Sequence, residues 1–269
     1  MNKRIEKQLD KEPKLWFVKL ITLMIIISLV LWSANSIEFT GIAKNGLNIA
    51  KNIILGIFTP DTKMLFDFTK VGVFYLILET AAIALLGTLI GAILSIPFAF
   101  LCARNIVPRW LSNVGTFIVA AIRTFPAFVY GLMFIKVAGP GPFTGVLTLS
   151  IASIGMVTKL YVEAIEDIDK KILESLDAAG CSTIQKIRYG IIPQLSTNFI
   201  STAIYRYEIN VKDATILGLV GAGGIGAPLI FAMNSFKWSE VGAILLGLII
   251  FVIIVEYFSG KIRTKLARG

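Results

Sequence analysis

The chain has 269 residues, of which 56% are hydrophobic and 16% are charged, and its formal net charge is +9. This share of apolar side chains exceeds what the core of one soluble domain can bury, so we expect lipid to surround most of the protein. The chain has no histidine and two widely separated cysteines, Cys102 and Cys181, which argues against a metal site and a disulfide framework.

Apolar runs predict an all-α, polytopic membrane protein with six transmembrane helices. The first run follows five basic residues and lacks a credible cleavage site, so we interpret it as an uncleaved anchor. The third is interrupted by Arg123-Thr-Phe-Pro126. The predicted spans cover residues 16–36, 80–103, 115–136, 143–158, 195–219 and 238–258.

The distribution of Lys and Arg predicts the orientation. Basic loops stay in the cytoplasm, and their excess lies in the segments that share a side with the N-terminus. We therefore expect both termini to be cytoplasmic, and we attribute the net positive charge to membrane interfaces rather than to nucleic-acid binding. The outer segments hold only Lys44, Lys51, Lys63, Lys70, Lys136 and Lys237.

Residues 42–57 have helical amphipathic spacing between the first two spans. Ile42, Ile49, Ile53 and Ile57 fall on one face, opposite Lys44, Asn48 and Lys51. This pattern predicts a helix that either lies along the outer membrane surface or packs on the outer rim of the protein itself.

A polar segment, residues 169–193, separates the fourth and fifth spans and is predicted to be cytoplasmic. Asp169 can cap a first helix, which Gly180 can end in the left-handed conformation. Ser182 and Gln185 have capping-box spacing for a second helix, and Pro193 is predicted to end it. Such a segment is either a docking surface for a soluble partner or an ordinary connection between helices.

Charged residues inside the spans are a second candidate site. Arg123, Arg206 and Lys212 can line an intermittently wet path for an oxyanion, because guanidinium and ammonium groups match such oxygens. The alternative is that these residues form ion pairs between helices with Glu79, Glu208 or Asp213.

A glycine-rich stretch, residues 221–226, satisfies Gly-x-Gly-x-x-Gly without the strand and crossover helix that a dinucleotide site needs. We interpret it as an outer turn or re-entrant loop at a gate or a receptor contact. The candidate residues are Gly221, Gly223, Gly224 and Gly226.

The spacing of Glu174, Gly180 and Pro193 resembles the EAA loop of ATP-binding-cassette (ABC) importer permeases, which in that family docks onto the ATPase subunit. By this resemblance the candidate ATPase-coupling residues are Glu174, Ala178, Gly180, Ser182, Gln185 and Pro193. The chain departs from the family pattern at Ser175, Leu176, Gly190 and Ile192.

Further segments resemble the phosphonate-permease branch of that family, which also contains phosphite and related oxyanion importers. They are residues 96–105, 123–126, 139–147, 161–165 and 205–226, within a likeness that spans roughly residues 70–262. The resemblance implies a MetI-like, type I ABC importer permease in a bacterial inner membrane. It would pair with a second copy of itself, two ATPase subunits and an external phosphonate-binding protein, and it would hold no cofactor or metal and no catalytic residue.

This resemblance implies three regions. Residues 1–70 would hold a cytoplasmic tail, the first span and the external amphipathic segment. Residues 71–262 would form the permease core, with the EAA coupling loop at about 163–194, and residues 263–269 a cytoplasmic tail.

Energetics require an energy-supplying partner if the solute is a doubly charged anion. Entry against about 100 mV costs roughly 4.6 kcal/mol, at about 2.3 kcal/mol per charge. At equilibrium, that cost lowers the concentration of the anion inside the cell on the order of a thousandfold relative to the outside. The chain lacks a phosphate-binding loop, and its Gly260-Lys261 pair has none of the surrounding motif. An ABC permease for another small solute and an ion-coupled secondary transporter remain as alternatives.

Overall fold

The structure is a computed structural model that describes residues 16–36 and 45–267. Within these ranges every regular element is a helix. In chain order the helices are α1 (Trp16–Ser36), α2 (Gly46–Phe58), α3 (Thr62–Leu65), α4 (Val73–Cys102), α5 (Arg109–Thr124), α6 (Ala127–Ala138), α7 (Pro142–Glu166), α8 (Lys170–Ala178), α9 (Thr183–Gln185), a π-helical segment (Lys186–Ile191), α10 (Ile192–Leu219), α11 (Gly226–Asn234) and α12 (Trp238–Ala267).

The chain forms two compact units, residues 1–50 and 51–269. In the first unit, α1 is a 21-residue apolar helix with no buried residue. Its length and composition match the predicted first span, since about 20 apolar residues cross the hydrocarbon layer.

Helices α4 and α7 form the centre of the second unit. Glycines in α4 allow a close approach: a Cβ at Gly87 would lie 2.6 Å from Leu149 Cβ, and one at Gly91 would lie 2.5 Å from Ser153 Cβ. Small residues at a helix interface are typical of membrane proteins, because dispersion contacts rather than the hydrophobic effect hold such helices together.

Helix α10 packs against both α4 and α7 and completes the core. Near its middle, Val211 and Ala214 pack with Ile83 of α4 and Leu149 of α7 in one apolar cluster. Towards the polar segment, Leu195 joins Tyr161 in a second cluster. The polar segment and the glycine-rich loop are thus attached to opposite ends of one rigid helix.

The predicted third span is two helices bent by 82°. The break lies at Phe125, whose extended backbone (φ −92°, ψ 128°) is the conformation favoured before proline, here Pro126. The interruption that the sequence predicts at residues 123–126 is therefore confirmed as a break between α5 and α6.

Four helices in the described residues are long and apolar enough to cross a membrane, or five if the bent pair is one span. Helix α10, which corresponds to the predicted fifth span, is not among them because it carries Arg206, Glu208, Lys212 and Asp213. The total of six spans and the cytoplasmic position of both termini stay predictions.

Helix α2 has the predicted amphipathic character, with Ile49, Ile53 and Ile57 partly buried and Lys51 exposed. In the second unit it packs on α12 so tightly that a Cβ at Gly56 would overlap the Trp238 backbone. This contact favours the rim alternative over a helix lying only on lipid. Ile42 and Lys44 of the same prediction lie outside the described residues.

Candidate functional site

The first helix of the polar segment begins and ends as the sequence predicts. The Asp169 side chain accepts a hydrogen bond from the Lys171 amide at the start of α8. At its end Gly180 has φ +75°, and the Gly180 and Cys181 amides donate to Asp177 O and Leu176 O. These two bonds define a Schellman motif, which satisfies carbonyls that would otherwise be unpaired.

The second helix begins as predicted but does not end as predicted. Ser182 and Gln185 form the complete capping box. The prediction that Pro193 ends this helix is wrong, because the chain continues through the π-helical segment 186–191 into α10, with Pro193 in the first turn of α10. Proline has no backbone N–H to donate to the preceding turn, and the wider π turn just before it joins the two helices without a break.

We call residues 169–193 the coupling knob. Its inner side is fixed to the helical core: Leu173, Ile187 and Ile191 pack on a cluster that contains Tyr161 and Leu195. Gly190 is buried where any Cβ would meet Leu176, so the two parts of the knob touch directly. The knob is therefore packed directly against α7 and α10.

The loop between α4 and α5 holds the end of α7, just before the knob. The Arg104 amide donates to Glu166 Oε1 (2.8 Å), and Asn105 Nδ2 donates to Ile165 O (2.7 Å). Both acceptors lie in the last turn of α7, next to the start of the knob. The loop that follows α4 is thus tied to the end of α7, which leads into the knob.

All six predicted coupling residues are exposed on the knob: Glu174, Ala178, Gly180, Ser182, Gln185 and Pro193. The structure adds two apolar side chains that the sequence reasoning missed, Ile184 (77% exposed) and Tyr189 (64% exposed). Exposed apolar side chains such as these are available for contact with another protein. How far these two side chains are exposed shows only in the folded structure.

The buried charge on α10 is held by neighbouring side chains. Arg206 is only 7% exposed; its Nε donates to Ser153 Oγ (3.0 Å), and its Nη2 lies 3.5 Å from Asp213 Oδ2. Burial removes water from the guanidinium, so these partners are needed to keep the charged form inside the protein. Asp213, one of the partners considered from the sequence, is the counterion, but the pair lies within α10 and does not join two helices as that alternative expected.

Two further ion pairs join α10 to α12. Lys212 Nζ lies 2.5 Å from Glu256 Oε1, and Arg263 Nη2 lies 2.9 Å from Glu208 Oε2. Arg263 also lies over the Tyr205 ring, 5.1 Å from its centroid. The sequence reasoning identified neither Glu256 nor Arg263 as an ion-pair partner, because residues far apart in the chain become partners only when α10 and α12 lie side by side.

Asn210 is a buried polar residue that the sequence reasoning did not select. Its Nδ2 donates to Thr88 Oγ1 (2.8 Å) and to Ser153 Oγ (2.9 Å), which connects α10 with α4 and α7. Its Oδ1 has no hydrogen-bond partner within the described part of the chain. Hydrogen bonds between transmembrane helices stabilise their packing modestly, so Asn210 fixes the register of the three central helices.

Arg123 lies apart from these pairs, at the end of α5. Its Cγ lies against Gly155 of α7, where any added Cβ would overlap it. Among the described residues it makes no ion pair. Arg206 and Lys212 each pair with an acidic side chain, whereas Arg123 does not, and the role of all three in a translocation path stays a prediction.

The glycine-rich loop folds back against the core between α10 and α11. Gly221, Gly223 and Gly224 have φ values of +93°, +83° and +75°, which favour glycine strongly. Thr80 Oγ1 of α4 accepts the Ile225 amide (2.9 Å), and the Gly141 amide donates to Gly221 O (2.8 Å). Gly226 begins α11 and packs on Gly218. The geometry fits a re-entrant turn, whereas a gate or receptor role stays a prediction.

Known proteins share this architecture. An inward-facing methionine ABC transporter, MetNI, matches with a TM-score of 0.61 at 18% identity, over 71% of this chain and 94% of the matched chain. An amino acid ABC transporter with histidines matches with a TM-score of 0.59 at 19% identity, over 83% and 98%. At these identities the likeness establishes a MetI-like permease fold.

Relatives that are similar in sequence include permeases named for particular phosphorus compounds. The phosphite transport system permease protein PtxC of Stutzerimonas stutzeri is 38% identical over 70% of this chain and 68% of its own length. The putative phosphite permease HtxC of the same organism is 33% identical over 98% and 94%. The phosphate-import permease protein PhnE of Mycolicibacterium smegmatis is 33% identical over 79% of this chain and 40% of its own length.

A family model described as "binding-protein-dependent transport system inner membrane component" matches residues 95–264. This match contains the coupling knob, the buried charges and the glycine-rich loop. The chain therefore belongs to this family and is a multi-pass membrane permease subunit of an ABC importer, in which a separate subunit hydrolyses ATP.

Proposed function

We propose that this permease forms the translocation path of an importer for phosphonate, phosphite or a related phosphorus oxyanion. The observation that carries the proposal is the pair of phosphite permeases that are 38% and 33% identical over at least two thirds of both chains. The substrate class follows from these relatives and not from the fold, since the structural neighbours at 18–19% identity carry amino acids.

The assembly in this proposal contains two copies of the permease, two ATPase subunits and an external solute-binding protein, in a bacterial inner membrane. The family description supports a binding protein. The coupling knob supports the ATPase contact, because its exposed face carries polar side chains as well as Ile184 and Tyr189. Each copy contributes one knob, and closure of the ATPases on ATP moves both knobs and alternates access to the path.

The candidate path residues differ in how the fold holds them. Arg206 and Lys212 each have an acidic partner, so they would have to exchange it to meet a solute. Arg123 has no such partner within the described residues. Gly221, Gly223, Gly224 and Gly226 are placed in this proposal at the outer gate or the receptor contact, supported by the re-entrant geometry of their loop.

Uptake measurements test the proposal. The permease is expressed with its ATPase and binding protein in a host that lacks phosphite and phosphonate uptake, and solute entry is measured for phosphite, methylphosphonate, phosphate and sulfate. We expect ATP-dependent uptake of at least one phosphorus oxyanion that excess sulfate does not suppress. Uptake of none of them refutes the substrate class. Full uptake with an ATPase lacking its phosphate-loop lysine refutes the ABC mechanism in favour of an ion-coupled transporter.

A further inference from the structure

A cavity of about 180 Å³ lies among the ends of α4, α5 and α7. Most of its accessible lining is apolar and comes from residues such as Val119, Ala120 and Val162. Its polar members are Arg123, Lys159, Thr116 and Thr158. No acidic side chain lines it. A water molecule needs about 10–15 Å³ in such a measure, so the cavity is large enough for a small polyatomic solute.

Thr158 provides the first sign that the cavity holds a polar ligand. Its side chain is completely buried, and its Oγ1 has no hydrogen-bond partner in the described part of the chain. Other buried hydroxyls of the same helix are satisfied: Thr148 Oγ1 donates to Thr144 O (2.8 Å). Because an unpaired buried hydroxyl is costly, its retention directly behind the cavity wall indicates a polar group that reaches it once the lining side chains shift aside.

The positive charge at the cavity provides the second sign. The Arg123 stem crosses α7 at Gly155, the position on that helix where the lack of a side chain leaves room for it. This crossing directs Arg123 to the cavity on which Thr158 also borders. Lys159 has an acidic neighbour, with its Nζ 3.4 Å from Glu163 Oε1, so Arg123 is the cation available to a ligand.

The cavity lies towards the coupling-knob end of the core. Thr158 is eight positions before Glu166, the last residue of α7, which corresponds to about 12 Å along the helix. Cys102, the last residue of α4, also lines it. The loop that follows α4 bonds through Arg104 and Asn105 to the last turn of α7, which leads directly into the knob, so the cavity lies between two helices that end beside the knob.

We propose that this cavity is an oxyanion-binding site on the inner half of the translocation path, in which Arg123 supplies the charge and the Thr158 hydroxyl donates a hydrogen bond. The proposal rests on the proposed function for its substrate class, and it separates Arg123 from Arg206 and Lys212, which bind acidic partners. A guanidinium and a hydroxyl suit a tetrahedral phosphorus oxyanion, whose oxygens accept charge-assisted hydrogen bonds.

Equilibrium dialysis of phosphite against the purified permease–ATPase assembly in lipid nanodiscs tests the site without the binding protein. The variants are Arg123→Gln and Thr158→Val, with Thr148→Val as the matched control on the same helix. We expect the wild type and the control to bind phosphite in preference to sulfate. Arg123→Gln should weaken phosphite binding about a hundredfold. Thr158→Val should weaken it about tenfold.

Thermal unfolding of the same samples separates a binding role from a structural one. Since Val removes an unpaired buried hydroxyl, Thr158→Val should unfold at the same or a higher temperature than the wild type. Thr148→Val loses a satisfied hydrogen bond and should not be more stable. A lower unfolding temperature for Thr158→Val, together with its weaker phosphite binding, assigns Thr158 to packing and overturns the proposal.

Failure of this site and failure of the proposed function give different results. The complete transporter could take up phosphite while the assembly binds none, or while both variants bind and transport phosphite like the wild type. In either case the cavity is not a binding site and the importer function stands. If the complete transporter takes up no phosphorus oxyanion and the assembly binds none, both proposals fall.

Discussion

Replacing Gly180 tests whether the coupling knob transmits force from an ATPase. Gly180 has φ +75°, and a Cβ at this position would meet no atom within 4 Å. A larger residue therefore causes no collision, and its whole effect comes from the backbone. A non-glycine residue in the left-handed conformation costs about 1–2 kcal/mol, and asparagine costs less because it tolerates this conformation.

The backbone strain of a non-glycine residue at position 180 is expected to weaken attachment of the ATPase. If the ATPase binds only the intact turn, about 1–2 kcal/mol weakens attachment by up to about 5–30-fold. We expect the order Gly180, then Gly180→Asn, then Gly180→Ala, then Gly180→Val, because a β-branched side chain is the least compatible with positive φ. The matched control is Gly260→Ala in α12, where a Cβ also meets nothing and the backbone is helical.

Co-purification of the ATPase subunit and solute uptake are measured side by side for these variants, after membrane insertion has been checked. Both readouts should fall in the stated order, while Gly260→Ala should match the wild type. Equal attachment and uptake across the Gly180 series would refute the idea that the shape of this turn couples the two subunits. A loss confined to membrane insertion would instead assign Gly180 to folding.

Three further predictions follow from the same geometry. Lys212→Glu should reduce uptake by placing like charges between α10 and α12, and Glu256→Lys in the same chain should restore it; if the double variant transports no better than the single one, the 2.5 Å pair is not functional. Ile184→Asp should lower ATPase co-purification without changing thermal unfolding, because this side chain is 77% exposed and has no internal role; unchanged co-purification would remove it from the docking surface. Hydrogen bonds from the Thr69 amide and hydroxyl lower the pKa of Asp67. This turn is therefore stabilised above the ordinary carboxyl pKa and loses that contribution as the pH falls through the lowered value, and Thr69→Val should raise the Asp67 pKa in an NMR titration.

Local features of the chain were predictable because they depend on neighbouring residues alone. The Asp169 cap, the left-handed Gly180 and the capping box of Ser182 and Gln185 all form as the sequence indicates. The first apolar run matches α1 to the residue. Pro193 was interpreted wrongly, because a proline after a helical pattern either ends one helix or begins the next. The π-helical turn that decides between these outcomes leaves no pattern in the sequence.

The charged residues in the apolar spans could be interpreted only in part from the sequence, because their ion-pair partners could not be identified. The sequence indicates that Arg206 and Lys212 need partners, since an unpaired ion inside a membrane is costly. It does not identify Glu256 for Lys212, nor Arg263 for Glu208, because these pairs are about 44 and 55 positions apart. Choosing among several acids requires the relative rotation of α10 and α12.

Composition and spacing by themselves determined that this protein is a helical membrane protein with a rigid polar knob between two spans, because lipid solvation, capping and turn conformation act over a few residues. Only the tertiary structure decided which charges are neutralised, which apolar side chains remain exposed on the knob, and that Arg123 and the unpaired Thr158 hydroxyl border one cavity. These properties arise where helices distant in sequence meet, and the packing of small residues such as Gly87, Gly91 and Gly155 sets how closely they approach.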